Sequence, residues 1–203
     1  MLFAIGPTGS LALKHTTLLY STMPQWNELT PTDIKLGEWK GRLQTIQEPN
    51  RFQIPLSRAP FGVSVFNDKK DIQLECTDST WYDWVRALEA NIMTQIVDKS
   101  TEIFSMSKTI DEVGAMWNSN LRDTKLRIKL DTCSFWDKDG KRLSPPDDVA
   151  GWLGRASVNA LVQVDSVYFF NGKCGLVWKG LQLKVEEMGV PKEPAFPQGE
   201  CLL

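Results

Sequence analysis

The chain is poor in the residues on which most catalysis depends. Of its 203 residues only one, His15, is a histidine, which excludes most Ser-His and Cys-His nucleophile arrangements. The four cysteines (Cys76, Cys133, Cys174 and Cys201) are widely spaced and form no C-x-x-C pair, so a Cys/His zinc site is not expected. Without a secretory signal the same four argue against a disulfide framework. No Gly-rich phosphate loop or dinucleotide fingerprint occurs. Met1 to Leu13 is mildly apolar, but it has no basic start and no clear cleavage pattern, and it is too short to span a bilayer. These absences predict reduced thiols, an intracellular protein with no membrane partner, no metal, no cofactor and no catalytic residue.

A strong net charge is missing too. Lys and Arg number 23 against 25 Asp and Glu, giving a formal charge of -2, so there is no global basic signature. The charge is unevenly divided along the chain. Residues 58–119 carry 6 basic against 10 acidic side chains, and residues 120–185 carry 11 against 7. The remainder from Glu186 is acidic again. That division suits a basic strand surface beside an acidic helical side.

What the chain has in quantity is strand patterning and aromatic rings. Ile34 to Lys40, Arg51 to Leu56, Phe61 to Phe66 and Ile72 to Cys76 alternate polar with apolar residues, as half-buried strands do. Asn67-Asp68-Lys69-Lys70 reads as a turn between two of them. The period then changes. Asp78 or Ser79 can cap a helix whose stripe is Trp81, Val85, Leu88, Ile92 and Ile96, widened by Trp84. A second helix is expected from Thr109 or Asp111, with Val113, Met116 and Trp117 on one face. Strands resume at Leu126 to Leu130, the cleanest alternation, with Arg127 and Lys129 facing outward. Asp137 to Gly140 and Asn171-Gly172 read as hairpin turns, since these residues tolerate positive φ. Val158 to Val164, Val167 to Phe170 and Gly175 to Val185 are the last strand segments.

The order of strands, helical insertion and strands predicts a mainly β protein. The expected form is an OB-like five-stranded barrel with one or two helices plugging one end. The boundaries read as an N-terminal extension over 1–33, a domain over 34–185 with a helical insertion over 79–121, and a tail over 186–203.

Catalysis finds little to work with. Asp123-Thr124-Lys125 has a nuclease-like spacing but no suitable upstream Pro-Asp, and Asp147-Asp148 does not suggest converging carboxylates. Single-strand binding asks for less: a positive groove for phosphates and aromatic faces for bases. The 8 Trp and 9 Phe include several beside basic residues. The candidates are Arg51, Phe52, Arg58, Lys125, Arg127, Lys129, Phe135, Trp136, Lys138, Lys141, Arg142, Lys173, Trp178, Lys179 and Lys184. Trp81, Trp84 and Trp117 are assigned to the core, as are Phe61 and Phe66. Trp136 and Trp178 suit either role.

The stretch from Ile34 to Val185 resembles the single-stranded-DNA-binding proteins of large DNA viruses, remotely related to podophage counterparts. The likeness rests on Ala59-Pro60-Phe61-Gly62-Val63-Ser64, the Trp/Leu/Ile helix, and the second helix within Thr101 to Leu121. It continues through Leu126 to Leu130 and Val167-Tyr168-Phe169. Its most specific part is Gly175-Leu176-Val177-Trp178 with Leu181-Gln182-Leu183-Lys184-Val185. The resemblance implies an OB fold that coats single-stranded DNA with little sequence preference, at the intracellular site of replication. RNA as ligand, a homo-oligomer and replication proteins as partners are further expectations. A non-enzymatic structural or interaction subunit of a viral or replication assembly is the alternative. Podophage relatives end in a strongly acidic tail with a terminal aromatic; here Lys192 interrupts the acids and the chain ends Cys201-Leu202-Leu203.

Overall fold

The computed structural model describes residues 23–189, so the expectations for Met1 to Leu13, for Cys201 and for most of the tail fall outside the described residues. Twelve strands form one sheet. In chain order they are β1 (Leu36–Lys40), β2 (Leu43–Ile46), β3 (Arg51–Gln53), β4 (Ser57–Arg58), β5 (Val63–Phe66) and β6 (Lys69–Cys76). After three helices come β7 (Leu121–Arg122), β8 (Lys125–Lys129), β9 (Ser134–Asp137), β10 (Arg142–Leu143), β11 (Ser157–Phe170) and β12 (Lys173–Glu187). The helices are α1 (Ser79–Asp98), α2 (Ser100–Phe104) and α3 (Ile110–Met116).

Five strands close into a ring. β11 pairs β4, β4 pairs β6, β6 pairs β8, β8 pairs β12, and β12 returns to β11. Numbered along the chain, the ring strands are neighbours in the order 1-2-3-5-4-1, and only the third and fifth, β8 and β12, run parallel. The protein is thus mainly β, with an OB-like ring and a helical insertion between the second and third ring strands. The insertion holds three helices where one or two were expected.

The ring bends where the sequence changes phase. Along β12, Leu176 and Trp178 point inward on even numbers, whereas Leu183 and Val185 do so on odd ones. The ladder with β11 passes from Val162↔Gly180 to Leu161↔Gln182, leaving Leu181 unpaired in a bulge. Such an extra residue flips every later side chain to the other face. Gly180 lies at the flip, and a Cβ there would meet Leu130 at 3.1 Å and Leu183 at 3.2 Å. β11 carries a matching irregularity at Asp165, and its pairing with β12 continues on both sides of it, so Val158 to Val164 and Val167 to Phe170 form one long strand instead of two.

α1 follows from its sequence. Asp78 caps it by accepting from the Thr80 backbone N–H, and Trp81, Trp84, Val85, Leu88, Ile92 and Ile96 are buried along one side. Trp81 and Trp84 stack on each other with centroids 5.5 Å apart, and Trp81 meets Trp178 of the ring edge-on at 6.2 Å. Phe52 packs edge-on against both Trp84 and Trp178. This aromatic cluster fixes the helix to the ring, each pair contributing ~0.5–1.5 kcal/mol beyond area burial.

Residues 23–33, read from sequence as extension, pack on the same cluster. Trp26 meets Trp81 at 5.4 Å and Trp84 at 6.2 Å. The Trp84 indole donates to the Leu29 carbonyl, and Asn91 donates to the carbonyls of Pro31 and Ile34. At the other end β12 continues through Glu187, past the expected tail boundary.

Candidate nucleic-acid interface

Residues directly opposite one another in neighbouring strands share a face, so the registers place the outward side chains. One row runs Arg58 (β4), Glu75 (β6), Lys125 (β8) and Arg122 (β7). The next pairs Gln73 with Arg127. A third runs Ser64 (β5), Asp71 (β6), Lys129 (β8) and Lys179 (β12). Phe66 and Lys69 face each other at the end of the β5–β6 hairpin. Inward partners of these strands, Ile72, Leu74, Leu126 and Ile128, are fully buried, which holds the outward rows in place.

The face extends past β8. β9 lies on the same edge of β12, also parallel, with Trp136 opposite Lys184 and Arg142 opposite Trp136. β8 and β9 therefore act as one interrupted strand, and half-buried Trp136 sits between two cations. Its indole N–H donates to the Ser134 hydroxyl at 3.1 Å.

Four of these cations already have carboxylate partners. Arg127 reaches Asp71 at 2.6 Å, Lys179 reaches Asp165 at 2.8 Å, and Lys125 lies 3.7 Å from Glu75. Lys184 pairs with Glu186 at 3.0 Å. The hydrogen bond that Arg127 donates to Asp71, together with the Asp71 charge, holds the guanidinium above its usual range, against a smaller opposing effect of burial. Arg58, Lys69, Arg122, Lys129 and Arg142 have no ion pair among the described residues.

α1 holds both central strands at one end. The Tyr82 hydroxyl accepts from the Cys76 N–H at 2.9 Å, where β6 ends, and lies within hydrogen-bond reach of the Cys76 carbonyl and of the Thr124 carbonyl, 2.8 Å away, where β8 begins. Beneath Arg127 the loop 118–120 forms a polar cleft with Gln73, Arg122 and Lys125. That loop rests on Glu89 of α1, whose carboxylate accepts from the Ser119 hydroxyl at 2.8 Å.

Burial is the main reason that the Glu89 carboxyl is pushed above the ordinary range, with the Ser119 hydrogen bond opposing it. The folded state therefore holds the Glu89 proton more tightly than the unfolded chain. This contribution to stability is full below the usual carboxylate pKa and is lost as pH rises through the folded value. Glu89→Gln keeps an acceptor for Ser119 and removes the charge. Melting temperatures should show the variant more stable than the parent at pH 7, with the gap closing at pH 4; an unchanged gap would show that Glu89 does not titrate in this way.

The sequence-derived candidates divide four ways. Arg58, Lys125, Arg127, Lys129, Trp136, Arg142, Lys179 and Lys184 come together on the outward face described above. Lys138 and Lys141 are exposed beside it, at the β9–β10 turn built on Asp137, whose carboxylate accepts from the Asp139 and Lys141 N–H groups. Arg51 is elsewhere, on β3 beside Glu48 at 3.5 Å, and Lys173 donates to the Ala115 carbonyl near α3.

Phe52, Phe135 and Trp178 correct the sequence reading. They are 0%, 7% and 0% exposed, because each points into the ring, so none has a face to offer a base. Phe61 and Phe66 correct it in the other direction: expected in the core, they are 62% and 72% exposed. Both belong to the connection between ring strands β4 and β6. Lys69 and Arg122 are further members that sequence reasoning missed. The signal for Phe66 was present, since strict alternation from buried Val63 puts Ser64 and Phe66 together on the wet side. Asp123, considered for nuclease chemistry, sits at φ 54° in the β7–β8 turn. No group of three His, Cys, Asp or Glu that could hold a metal occurs among the described residues. No described helix is long and apolar enough to cross a membrane.

No family model and no curated protein matches the chain. Among solved structures it is similar to the single-stranded DNA-binding protein from bacteriophage Enc34 in complex with ssDNA. There the identity is 11% and the TM-score 0.44, over 79% of this chain and 98% of that one. It is also similar to gp2.5, a single-stranded DNA-binding protein encoded by bacteriophage T7. That pair has 9% identity and a TM-score of 0.49, over 75% of this chain and 100% of that one.

Proposed function

We propose that the chain binds single-stranded DNA non-catalytically, coating strands exposed during replication, recombination or repair without strong sequence preference. The observation that carries the reading is the exposed pair Phe61 and Phe66 beside the cation rows of β6, β8 and β12. In OB folds the second and third strands and the flanking loops form the usual oligonucleotide surface, and β6 and β8 occupy those places here. Exposed rings offer stacking to any base, and the cations follow the backbone, which together give sequence-tolerant binding. The interface would be formed by Phe61, Phe66, Trp136, Lys69, Arg122 and Lys129, with the paired cations among them. The kinship with large DNA viruses rests on the motifs quoted for it. An intracellular site of replication and association with further copies or replication proteins belong to the same reading.

The burial pattern makes the test specific. Trp81, Trp84 and Trp178 are buried, and of the half-buried Trp26, Trp39, Trp117, Trp136 and Trp152 only Trp136 lies among the outward rows described above, so oligo-dT should quench mainly the Trp136 emission. Titration at low salt should give saturable quenching that weakens as salt is raised. In Trp136→Phe the quenching amplitude should fall by more than half, while anisotropy of labelled oligo-dT still reports binding. No anisotropy change at low salt with the parent protein would overturn the proposal and favour a structural or interaction subunit.

A further inference from the structure

The carboxylates on the candidate interface are a poor fit to a surface whose work is to attract phosphate. Asp71, Glu75 and Asp165 each hold a cation of a neighbouring strand, at 2.6, 3.7 and 2.8 Å. Asp71 is only 8% exposed at its side chain while its partner Arg127 is 57% exposed, so the acid is set into the sheet and the guanidinium lies over it. Glu75 is held further by the Thr124 hydroxyl, which donates to it at 2.6 Å, and Asp165 by the Ser166 hydroxyl at 3.0 Å. These acids are fixed parts of the face.

Resting on the proposed function, we infer that Asp71, Glu75 and Asp165 set the preference for single over double strands. A duplex presents phosphates and keeps its bases stacked inside. Its affinity for such a face would come almost wholly from free cations replacing condensed counterions. A cation already neutralised by a carboxylate of the same protein adds little to that exchange. A single strand has a second source of affinity, its unstacked bases on Phe61, Phe66 and Trp136. Muting the phosphate attraction therefore weakens both ligands but removes nearly everything a duplex has. Discrimination arises from what the acids deny to the wrong ligand.

The test uses the full chain carrying Asp71→Asn, Glu75→Gln and Asp165→Asn, with anisotropy of labelled oligo-dT and of a labelled hairpin duplex across a salt series. Duplex affinity should rise about tenfold or more at low salt, and the duplex salt slope should steepen by ~2–3, about 0.9 per freed cation. Oligo-dT affinity should rise by a smaller factor, so the single-to-double ratio falls. Because Asp71 is buried, the half-buried pair Glu75→Gln and Asp165→Asn is measured alongside, with melting curves for both variants. An unchanged ratio in the pair variant, melting like the parent, overturns the inference. So does an equal gain for both ligands. If the parent protein ignores oligo-dT, the proposed function fails with it; if the parent binds and only the ratio stays fixed, the inference alone fails.

Discussion

Phe66→Ala should lower affinity for oligo-dT about 5- to 150-fold while leaving the melting temperature in place, because one base–aromatic stack is worth ~1–3 kcal/mol. The ring is 72% exposed and the strand ends just beyond it. The turn that follows has Asn67 at φ 48° and Asp68 at φ 60°, left-handed positions that Asn and Asp tolerate. The fold therefore owes the side chain almost nothing, and a loss of binding in Phe66→Ala reports contact, not unfolding. Phe66→Trp should retain or strengthen binding and bring a new quenchable emission. Phe61→Ala is the companion, also at an exposed site, and the two losses should be close to additive if separate bases stack on each ring. Parent-like affinity in the double variant would leave the β5–β6 hairpin without a role in binding.

The general fold was legible because local and global signals agree. Alternation placed β5, β6, β8 and most of β12, and found β11 as two pieces, while Asp78 with the Trp81 to Ile96 stripe placed α1 almost to the residue. What alternation could not supply was the closing of the ring, which depends on non-local pairings such as Lys179↔Lys129. The site was half legible for a related reason. Basic residues on a strand such as β8 must face water, so Arg127 and Lys129 were readable as outward. Aromatic residues are welcome on either side. Trp178 looked ambiguous beside Gly180, and only the bulge at Leu181 decides that it points inward together with Gly180. Phe66 was drawn to the core by its hydrophobicity although its parity with Ser64 put it outside. Nor could composition show that the cations of the second half would meet acids of the first: Asp71 and Glu75 lie some fifty residues before Arg127 and Lys125, and the β6–β8 register alone brings them together.

Gly62→Ala should cost far more stability than a methyl added at an open turn. Gly62 adopts φ +72°, and a Cβ there would stand 2.5 Å from the carbonyl oxygens of both Gly151 and Trp152. Backbone cannot turn aside as a side chain can, so the two segments must part. They are joined by hydrogen bonds from the Val63 N–H to Trp152, from Gly151 to Val63, from Ala59 to Ala156 and from Arg155 to Ala59. The left-handed conformation alone costs a non-glycine residue ~1–2 kcal/mol. Each hydrogen bond weakened adds ~0.5–1.5 kcal/mol, so a total of about 3 kcal/mol or more is expected. For a domain of this size that lowers the melting temperature by ~6–12 °C. Gly140→Ala provides the comparison, since Gly140 has φ +78° but nothing within 4 Å of the added Cβ. It should lose only the conformational part. The same loop carries Phe61 and leads into β5, so Gly62→Ala should also weaken oligo-dT binding, whereas Gly140→Ala should leave it nearly unchanged. Equal melting temperatures for the two variants would mean that close packing against residues 151–152 does not hold the β4–β6 connection, and that Phe61 and Phe66 are positioned by something else.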